Sequence, residues 1–184
     1  MSVIIINSYR FAAPFSVWNA RDDLNANLGA GKSNPNGRWT YGRTNANAVF
    51  SQLTVSTANG WGSTDQFGVP FINVSGFVLS SHTAQNADTV TLRWTAPSAM
   101  TVSIDVRITK TNTGGDGVRF FLTTGAGTVV NASGVIAGPS GVHTYLNPSY
   151  VVTPGQHLDF SVDRNGDFSS DNFNYDRVII TQVG

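Results

Sequence analysis

The sequence contains no cysteine and only three histidines, and charged residues make up 12% of it. Without cysteine there is no disulfide framework, no thiolate nucleophile and no cysteine-ligated metal site, and three histidines are few for a multi-histidine metal site. Lysine plus arginine equals aspartate plus glutamate at 11 each. This balance creates no basic field for nucleic acid. No apolar run approaches the roughly 18 residues that span a bilayer. The composition therefore predicts neither a nucleic-acid partner nor a membrane partner.

The chain has 184 residues, the size of one domain with one core. With so few charges, its surface must be covered by serine, threonine, asparagine and glycine, which favour strands and tight turns. The apolar run at residues 3–6 has no basic segment before it and no small-residue cleavage site after it, so we predict no signal peptide.

Residues 88–122 have the clearest periodicity in the chain. Three runs alternate apolar with polar residues, as half-buried strands do. Their apolar positions are Val90, Leu92 and Trp94, then Val102, Ile104, Val106 and Ile108, and then Val118, Phe120 and Leu122. Residues 96–98 and 113–117 contain the turn-forming residues between the runs. The pattern predicts three strands in an antiparallel meander, in which residues 114–117 form the corner.

Short strands separated by turns continue along the rest of the chain. We expect one helical turn near residues 21–25, a glycine-flanked loop at 59–63 and a short hairpin that joins 129–130 to 135–136. Nine or ten strands with turns every 8–12 residues predict an all-β fold, an antiparallel β-sandwich of the jelly-roll type. We assign residues 15–184 to this single domain and residues 1–14 to a first strand or a docking arm.

Several short motifs occur in an order that resembles a known family. They are F-S at 15–16, N-P-N-G-R-W-T-Y-G at 34–42, S-H-T at 81–83, R-W-T-A-P at 93–97, G-G-D-G-V at 114–118 and V-x-P-G-Q-x-L-x-F-x-V-D at 152–163. Together they resemble a family of jelly-roll modules similar to carbohydrate-binding modules, over about residues 15–183. The resemblance implies the same fold, and it implies turn and core roles for most of the motif residues.

No local signature of catalysis is present. The three histidines are scattered, and the sequence has no G-x-S-x-G nucleophile motif. Most acids outside residues 163–176 lie in turns, where caps and turn formation explain them. We therefore predict a protein without enzymatic activity and without a required cofactor.

A short acidic stretch near the C-terminal end is the best metal candidate. Oxygen ligands spaced two residues apart on a glycine-bent loop suit Ca²⁺, and the bound ion would have a structural role. The candidate ligands are Asp163, Asn165, Asp167 and Asp171. The alternative is a hairpin, because Asn-Gly is itself a strong turn signal.

Aromatic side chains in loops are candidates for stacking on sugar rings. We single out Trp61, Tyr145 and Tyr150, with Trp61 the aromatic most expected at the surface. The alternative for Trp61 is that it folds back onto the core. Trp39 and Trp94 have apolar neighbours at even spacing, so they are expected in the core.

Two functions remain open. The first is a decoration (cement) protein of a tailed-bacteriophage virion, assembled in the host cytoplasm as a homo-oligomer, with a trimer favoured and a capsid or other virion protein as its partner. Its docking residues would be Val3, Ile4, Ile5, Ile6, Tyr9 and Phe11. The second is a glycan-binding module, either free or on a phage tail, that uses the loop aromatics.

Overall fold

A computed structural model describes residues 15–26, 33–45, 49–57, 60–62, 71–73, 78–80, 89–166 and 172–184. In chain order the elements are β1 (Val17–Asn19), α1 (Ala20–Ala26), β2 (Trp39–Thr44), β3 (Phe50–Gln52), β4 (Val55–Thr57), β5 (Gly60–Gly62), β6 (Phe71–Asn73), β7 (Val78–Ser80), β8 (Thr89–Thr95), β9 (Met100–Lys110), β10 (Val118–Thr124), β11 (Val129–Ala132), β12 (Val142–Val152), β13 (His157–Arg164) and β14 (Asn172–Val183). Within the described ranges, no helix has the length and apolar character that crossing a bilayer requires.

The described strands form two antiparallel sheets. The first sheet has the order β12-β9-β14-β7-β6-β5-β4, with β1 also paired to β14. The second sheet has the order β11-β10-β13-β8-β2-β3. Along the chain, successive strands alternate between the sheets: β8, β10 and β13 lie in the second sheet, and β9, β12 and β14 lie in the first. β11 is added at the edge of the second sheet, next to β10. The predicted all-β sandwich of the jelly-roll type is confirmed.

The core lies between the sheets and is built from the alternating apolar positions of the strands. The first sheet contributes Val102, Ile104, Val106, Ile108, Val178 and Ile180, and the second contributes Trp39, Tyr41, Val90, Leu92, Trp94, Phe120, Leu122, Leu158, Phe160 and Val162. Trp39 lies opposite Trp94 in the β2–β8 register, and both are core residues. The Tyr175 hydroxyl on β14 donates to the Phe160 carbonyl on β13 at 2.7 Å, which ties one sheet to the other inside the core.

The predicted meander is wrong, although its three strands are confirmed. β8 and β10 lie in the second sheet on either side of β13, whereas β9 lies in the first sheet between β12 and β14. Alternation defines which side of a strand is buried and does not define its neighbour, and both arrangements give the same pattern. The turn at 111–117 therefore carries the chain from one sheet to the other.

The predicted hairpin between 129–130 and 135–136 is also wrong. β11 pairs with β10, and Ile136 forms an isolated bridge to Val118 at the beginning of β10. The helical turn near 21–25 is confirmed as α1, which begins after Asn19. The Asn19 side chain accepts from the backbone N–H groups of Arg21 and Asp22 at 3.1 and 3.4 Å, as helix-capping residues do.

The N-P-N-G segment has a structural role. The Asn34 amide nitrogen donates to the carbonyls of Tyr41 and Leu53 at 2.7 and 2.8 Å, and its amide oxygen accepts from the Tyr41 N–H at 2.9 Å. One side chain thereby joins the turn to β2 and to the residue after β3. This agrees with the turn role that the motif resemblance implies.

Candidate functional site

The outward side of the second sheet carries a concentration of polar side chains, which we call the polar face. On β13, His157, Asp159, Ser161 and Asp163 alternate with the buried Leu158, Phe160 and Val162. The polar face consists of these four residues together with Thr91 and Arg93 on β8, Arg119 and Phe121 on β10, and Phe50 on β3. Thr91, Asp159 and Ser161 are buried, so they form its floor.

One ion pair crosses from β8 to β13 near the centre of this face. Arg93 lies opposite Asp159 in the strand register. Its Nε contacts Oδ1 and its Nη2 contacts Oδ2, both at 2.7 Å, which is the bidentate geometry of a strong charge-assisted pair. The Arg93 and Asp159 side chains are 16% and 6% exposed. The pair is thus held in a largely desolvated site.

The Phe50 ring completes this site because a glycine makes room for it. The guanidinium carbon of Arg93 lies 3.9 Å from the centre of the Phe50 ring, within the range of a cation–π contact. A Cβ atom on Gly42 would lie in steric conflict with the Cε2 and Cζ atoms of that ring, and 2.7 Å from the Ser51 carbonyl oxygen. Gly42 is therefore required for the ring to lie across β2 toward Arg93.

A second pair repeats the arrangement on β10 and β13. Arg119 contacts Asp163 through Nε–Oδ1 at 3.0 Å and Nη2–Oδ2 at 2.8 Å, and its guanidinium carbon lies 5.8 Å from the Phe121 ring centre. The side chains are 40% and 19% exposed. Burial raises the pKa of the Asp163 carboxyl more than the Arg119 partner lowers it, whereas the same contact raises the pKa of Arg119. The second pair is the more accessible one.

Three hydroxyl groups connect across the floor. The Thr91 hydroxyl lies 2.9 Å from that of Thr44 on β2 and 2.9 Å from that of Ser161 on β13. The chain of hydroxyls spans three neighbouring strands, β2, β8 and β13, and links them on the outward side of the sheet. A face of this kind offers fixed donors, acceptors and aromatic rings to a ligand, which suits a molecule with many hydroxyl groups.

Of the residues of the polar face, Asp163 alone was among the sites expected from the sequence, and it was expected as a calcium ligand and not as the partner of an arginine. Arg93 and Asp159 are 66 residues apart in the chain, and Arg119 and Asp163 are 44 apart, so no local motif joins them. The one local signal is on β13, where four polar residues occupy every second position and three apolar residues occupy the positions between them. That pattern marks the outward side of a strand without identifying its partners.

Trp61 does not lie in an exposed loop, so that expectation is wrong. It lies in β5 between β4 and β6, and it is 7% exposed within the core cluster. Its flanking glycines have become part of a strand, where neighbouring strands bury the indole. The alternative that Trp61 packs on the core is confirmed.

The expected loop position of Tyr145 and Tyr150 is also wrong. Both lie on β12, where they point inward and are partly buried against the core, because the β12 register with β9 places them beside the buried Val106 and Val102. The Tyr145 hydroxyl accepts from the Asn147 side chain at 3.2 Å. Four strands of the first sheet lie between β12 and β5, which separates these tyrosines from Trp61 by about 24 Å at ordinary strand spacing. The three aromatics do not form one site, and a binding role for the two tyrosines stays a prediction.

The calcium hypothesis falls partly on described residues. Asp163 is paired with Arg119, and the Asn165 side chain donates toward the Asp116 carboxylate at 3.4 Å. Asp167 and Asp171 lie outside the described residues. Within the described ranges no three acids or histidines cluster as metal ligands would. The calcium site stays a prediction.

A buried lysine holds the neighbouring turn. Lys110 points into the sandwich at the end of β9 and is fully buried. Its ammonium donates to the carbonyls of Asn112 and Gly114 at 2.9 and 2.5 Å. The Asn165 backbone N–H donates to the Gly117 carbonyl, at the end of the same turn, at 3.1 Å. The predicted corner is thus fixed by an internal cation that the sequence analysis did not identify.

The expected docking residues Val3, Ile4, Ile5, Ile6, Tyr9 and Phe11 all lie outside the described residues. Docking through residues 1–14, the domain boundary after residue 14 and the homo-oligomer therefore stay predictions.

No family model matches this chain, and no curated protein matches it. Among solved structures, the CBM36-1 domain of a multidomain xylanase from the hindgut metagenome of Trinervitermes trinervoides is similar at 14% identity and a TM-score of 0.39, covering 79% of this chain and 98% of that one. The C-terminal family 22 carbohydrate-binding module of Clostridium thermocellum Xyn10B is similar at 15% identity and a TM-score of 0.36, covering 58% and 80%.

The GH26-CBM35 β-(1,4)-mannanase of Podospora anserina is similar at 13% identity and a TM-score of 0.39 over 77% of this chain. This chain spans 27% of the length of that enzyme. These similarities concern the fold alone.

Proposed function

We propose that this protein is a non-catalytic glycan-binding module and that its ligand lies on the polar face. One observation carries the proposal: two bidentate Arg–Asp pairs, each beside a phenylalanine ring, occupy the same side of the same sheet. Aromatic rings can stack on the apolar faces of sugar rings, and guanidinium and carboxylate groups can satisfy neighbouring hydroxyls.

Pre-ordering supports this proposal. Each guanidinium uses two of its five N–H groups in the bidentate pair, so three remain for a ligand or for solvent. The carboxylates hold the arginines in place before a ligand arrives, which reduces the side-chain entropy lost on binding. Asp159 and Asp163 are four residues apart on one strand, about 13 Å at ordinary strand rise. A ligand that touches both pairs must therefore be an oligosaccharide.

The same geometry opposes glycoside hydrolysis on this face. The two carboxyl groups of a retaining enzyme lie about 5–5.5 Å apart, and those of an inverting enzyme about 6.5–9.5 Å apart. Asp159 and Asp163 are farther apart than either spacing, and each is already paired with an arginine. We therefore propose a binding role without chemistry.

The experiment compares the wild type with two matched arginine variants. Arg119→Ala removes the accessible pair of the polar face. Arg107→Ala removes a similar pair on the outward side of the first sheet, where the Arg107 Nε lies 3.1 Å from Asp176 Oδ2. Binding is measured by affinity gel electrophoresis and calorimetry with soluble xylan, galactomannan, mixed-linkage β-glucan and their oligosaccharides.

We expect Arg119→Ala to weaken binding about tenfold or more, because hydrogen bonds to charged groups contribute about 1.5–3 kcal/mol each. We expect Arg107→Ala to bind as the wild type does. Equal losses in the two variants, or no binding of any of these glycans by the wild type, would refute the proposal.

The virion role, the capsid partner, the trimer and the location in a virion stay predictions beside this proposal. They rest on the overall composition and on residues 1–14, which lie outside the described residues. A glycan-binding face would also suit the alternative expected from the sequence, in which the module stands on a phage tail.

A further inference from the structure

A pocket of about 420 Å³ lies at one end of the sandwich, beside the polar face. It lies between the turn that joins β10 to β11 and the turn that joins β12 to β13. Its lining residues include Ala126 and Pro154, one from each turn, and Gln156 and His157. None of them is an acid, a lysine or an arginine, so the pocket suits a neutral, hydroxylated ligand.

The two turns that wall the pocket are held by hydrogen bonds. The Gly127 N–H donates to the Thr124 carbonyl at 2.7 Å in the first turn. In the second turn, the Gln156 Oε1 accepts from the Thr153 N–H at 3.0 Å and lies 3.3 Å from the Thr153 hydroxyl. The Thr153 backbone N–H identifies which atom of the Gln156 amide is the oxygen, because only the oxygen can accept. The Gln156 amide nitrogen is then the group that remains as a donor.

His157 belongs both to this pocket and to the polar face. Its Nδ1 lies 3.1 Å from the Thr95 hydroxyl, and it is two residues from Asp159 on the same side of β13, about 7 Å along the strand. A Cβ atom on Gly125 would lie 2.8 Å from the His157 Cβ, so this histidine packs directly against the first turn. The pocket is thereby continuous with the strip of polar residues on β13.

We propose that this pocket is an end subsite that takes the terminal residue of a neutral glycan chain. The inference rests on the proposed function, because it assumes that the chain lies on the polar face. A chain that follows β13 past Asp159 reaches His157, and there the two turns close the path. Gln156 and His157 supply hydrogen-bonding groups for the hydroxyls of the last sugar, while Ala126 and Pro154 supply apolar contact.

The test measures how many protein molecules bind each glycan chain. A short oligosaccharide and a long polymer of the same linkage are compared by calorimetry, using unbranched chains of the xylan, mannan and β-glucan series. An end subsite predicts one bound protein per chain at both lengths. Binding along the chain predicts a number that rises with length.

Two variants address the pocket without touching the Arg–Asp pairs. Ala126→Trp fills the pocket from an exposed turn position. Gln156→Glu preserves the acceptor for Thr153 and removes the amide donor. We expect each to weaken oligosaccharide binding about tenfold. Thermal unfolding checks that both fold, and if Ala126→Trp does not, Gln156→Glu decides.

The outcomes separate the two proposals. Glycan binding that both variants leave unchanged, or that increases in stoichiometry with chain length, overturns the end subsite and leaves the glycan-binding face intact. No binding to any of the probes by the wild type overturns both proposals. One protein per chain, together with the loss in the pocket variants, supports the end subsite.

Discussion

The two Arg–Asp pairs of the polar face should differ in their contribution to stability, although both are bidentate. Asp159→Asn leaves the Arg93 guanidinium, 16% exposed, without its anionic partner. Asp163→Asn does the same to Arg119, which is 40% exposed and has water available. The two aspartates lie on the same side of one strand, so each variant serves as the matched control for the other.

The magnitudes follow from burial. Breaking a buried pair costs about 3–5 kcal/mol because a charge is left desolvated, and the residual exposure of Arg93 favours the lower end, about 3 kcal/mol. Exposed pairs contribute about 0–1 kcal/mol. The raised pKa of the Asp163 carboxyl agrees with a small value, since burial there offsets the attraction to Arg119. For a chain of this size, about 2–4 °C per kcal/mol predicts a loss of about 6–12 °C for Asp159→Asn and under about 4 °C for Asp163→Asn.

Urea unfolding at neutral pH, followed by tryptophan fluorescence and circular dichroism, gives the free energies of unfolding. Thermal unfolding gives an independent order of the two variants. Combining each aspartate variant with Arg93→Met or Arg119→Met completes a double-mutant cycle, which isolates the pairwise energy. Equal losses for the two aspartates, or a larger loss for Asp163→Asn, would refute the argument from burial.

Three further predictions follow from other contacts. Gly42→Ala should cost about 1–3 kcal/mol in urea unfolding, because its Cβ conflicts with the Phe50 ring; combining it with Phe50→Ala should recover part of the loss, and no recovery would count against this cause. Tyr175→Phe should lower the free energy of unfolding by about 1 kcal/mol, through loss of the 2.7 Å bond between the sheets; an unchanged midpoint would contradict it. Burial lowers the pKa of His143 and of His157 below the usual 6.5, so the unfolded chain binds more protons than the folded chain as the pH falls. The contribution of these histidines to stability is present above about pH 6.5, and the free energy of unfolding should fall as the pH drops from 8 to 5.5. Replacing both histidines with glutamine should flatten that curve, and an equally steep curve would show that other groups cause it.

Period-two patterns made the central strands predictable. The alternation of Val102, Ile104, Val106 and Ile108 on β9 identifies its buried side, because core packing selects apolar residues at every second position. Trp39 and Trp94 were expected in the core for the same reason, and both are fully buried. The sandwich class therefore follows from local information.

Partner choice was not predictable, because it depends on residues far apart in the chain. The wrong meander prediction and the Arg–Asp pairs that the sequence analysis missed share this cause. Nothing in the sequence around Arg93 indicates that its strand, β8, pairs with β13. Trp61 was misplaced for a related reason. Its flanking glycines indicate a loop when neighbours are ignored, but the paired strands β4 and β6 turn the same residues into a buried strand.

The position of β14 has a consequence for how the chain acquires its fold. β14 is the last strand in chain order, yet in the first sheet it pairs with β9, β7 and β1. These three strands lack that partner until the ribosome has delivered β14. Such long-range pairing gives a high contact order, so folding should be slow for a domain of this size. Until β14 has been synthesised, the apolar sides of β1, β7 and β9 are exposed to solvent and can aggregate with other chains.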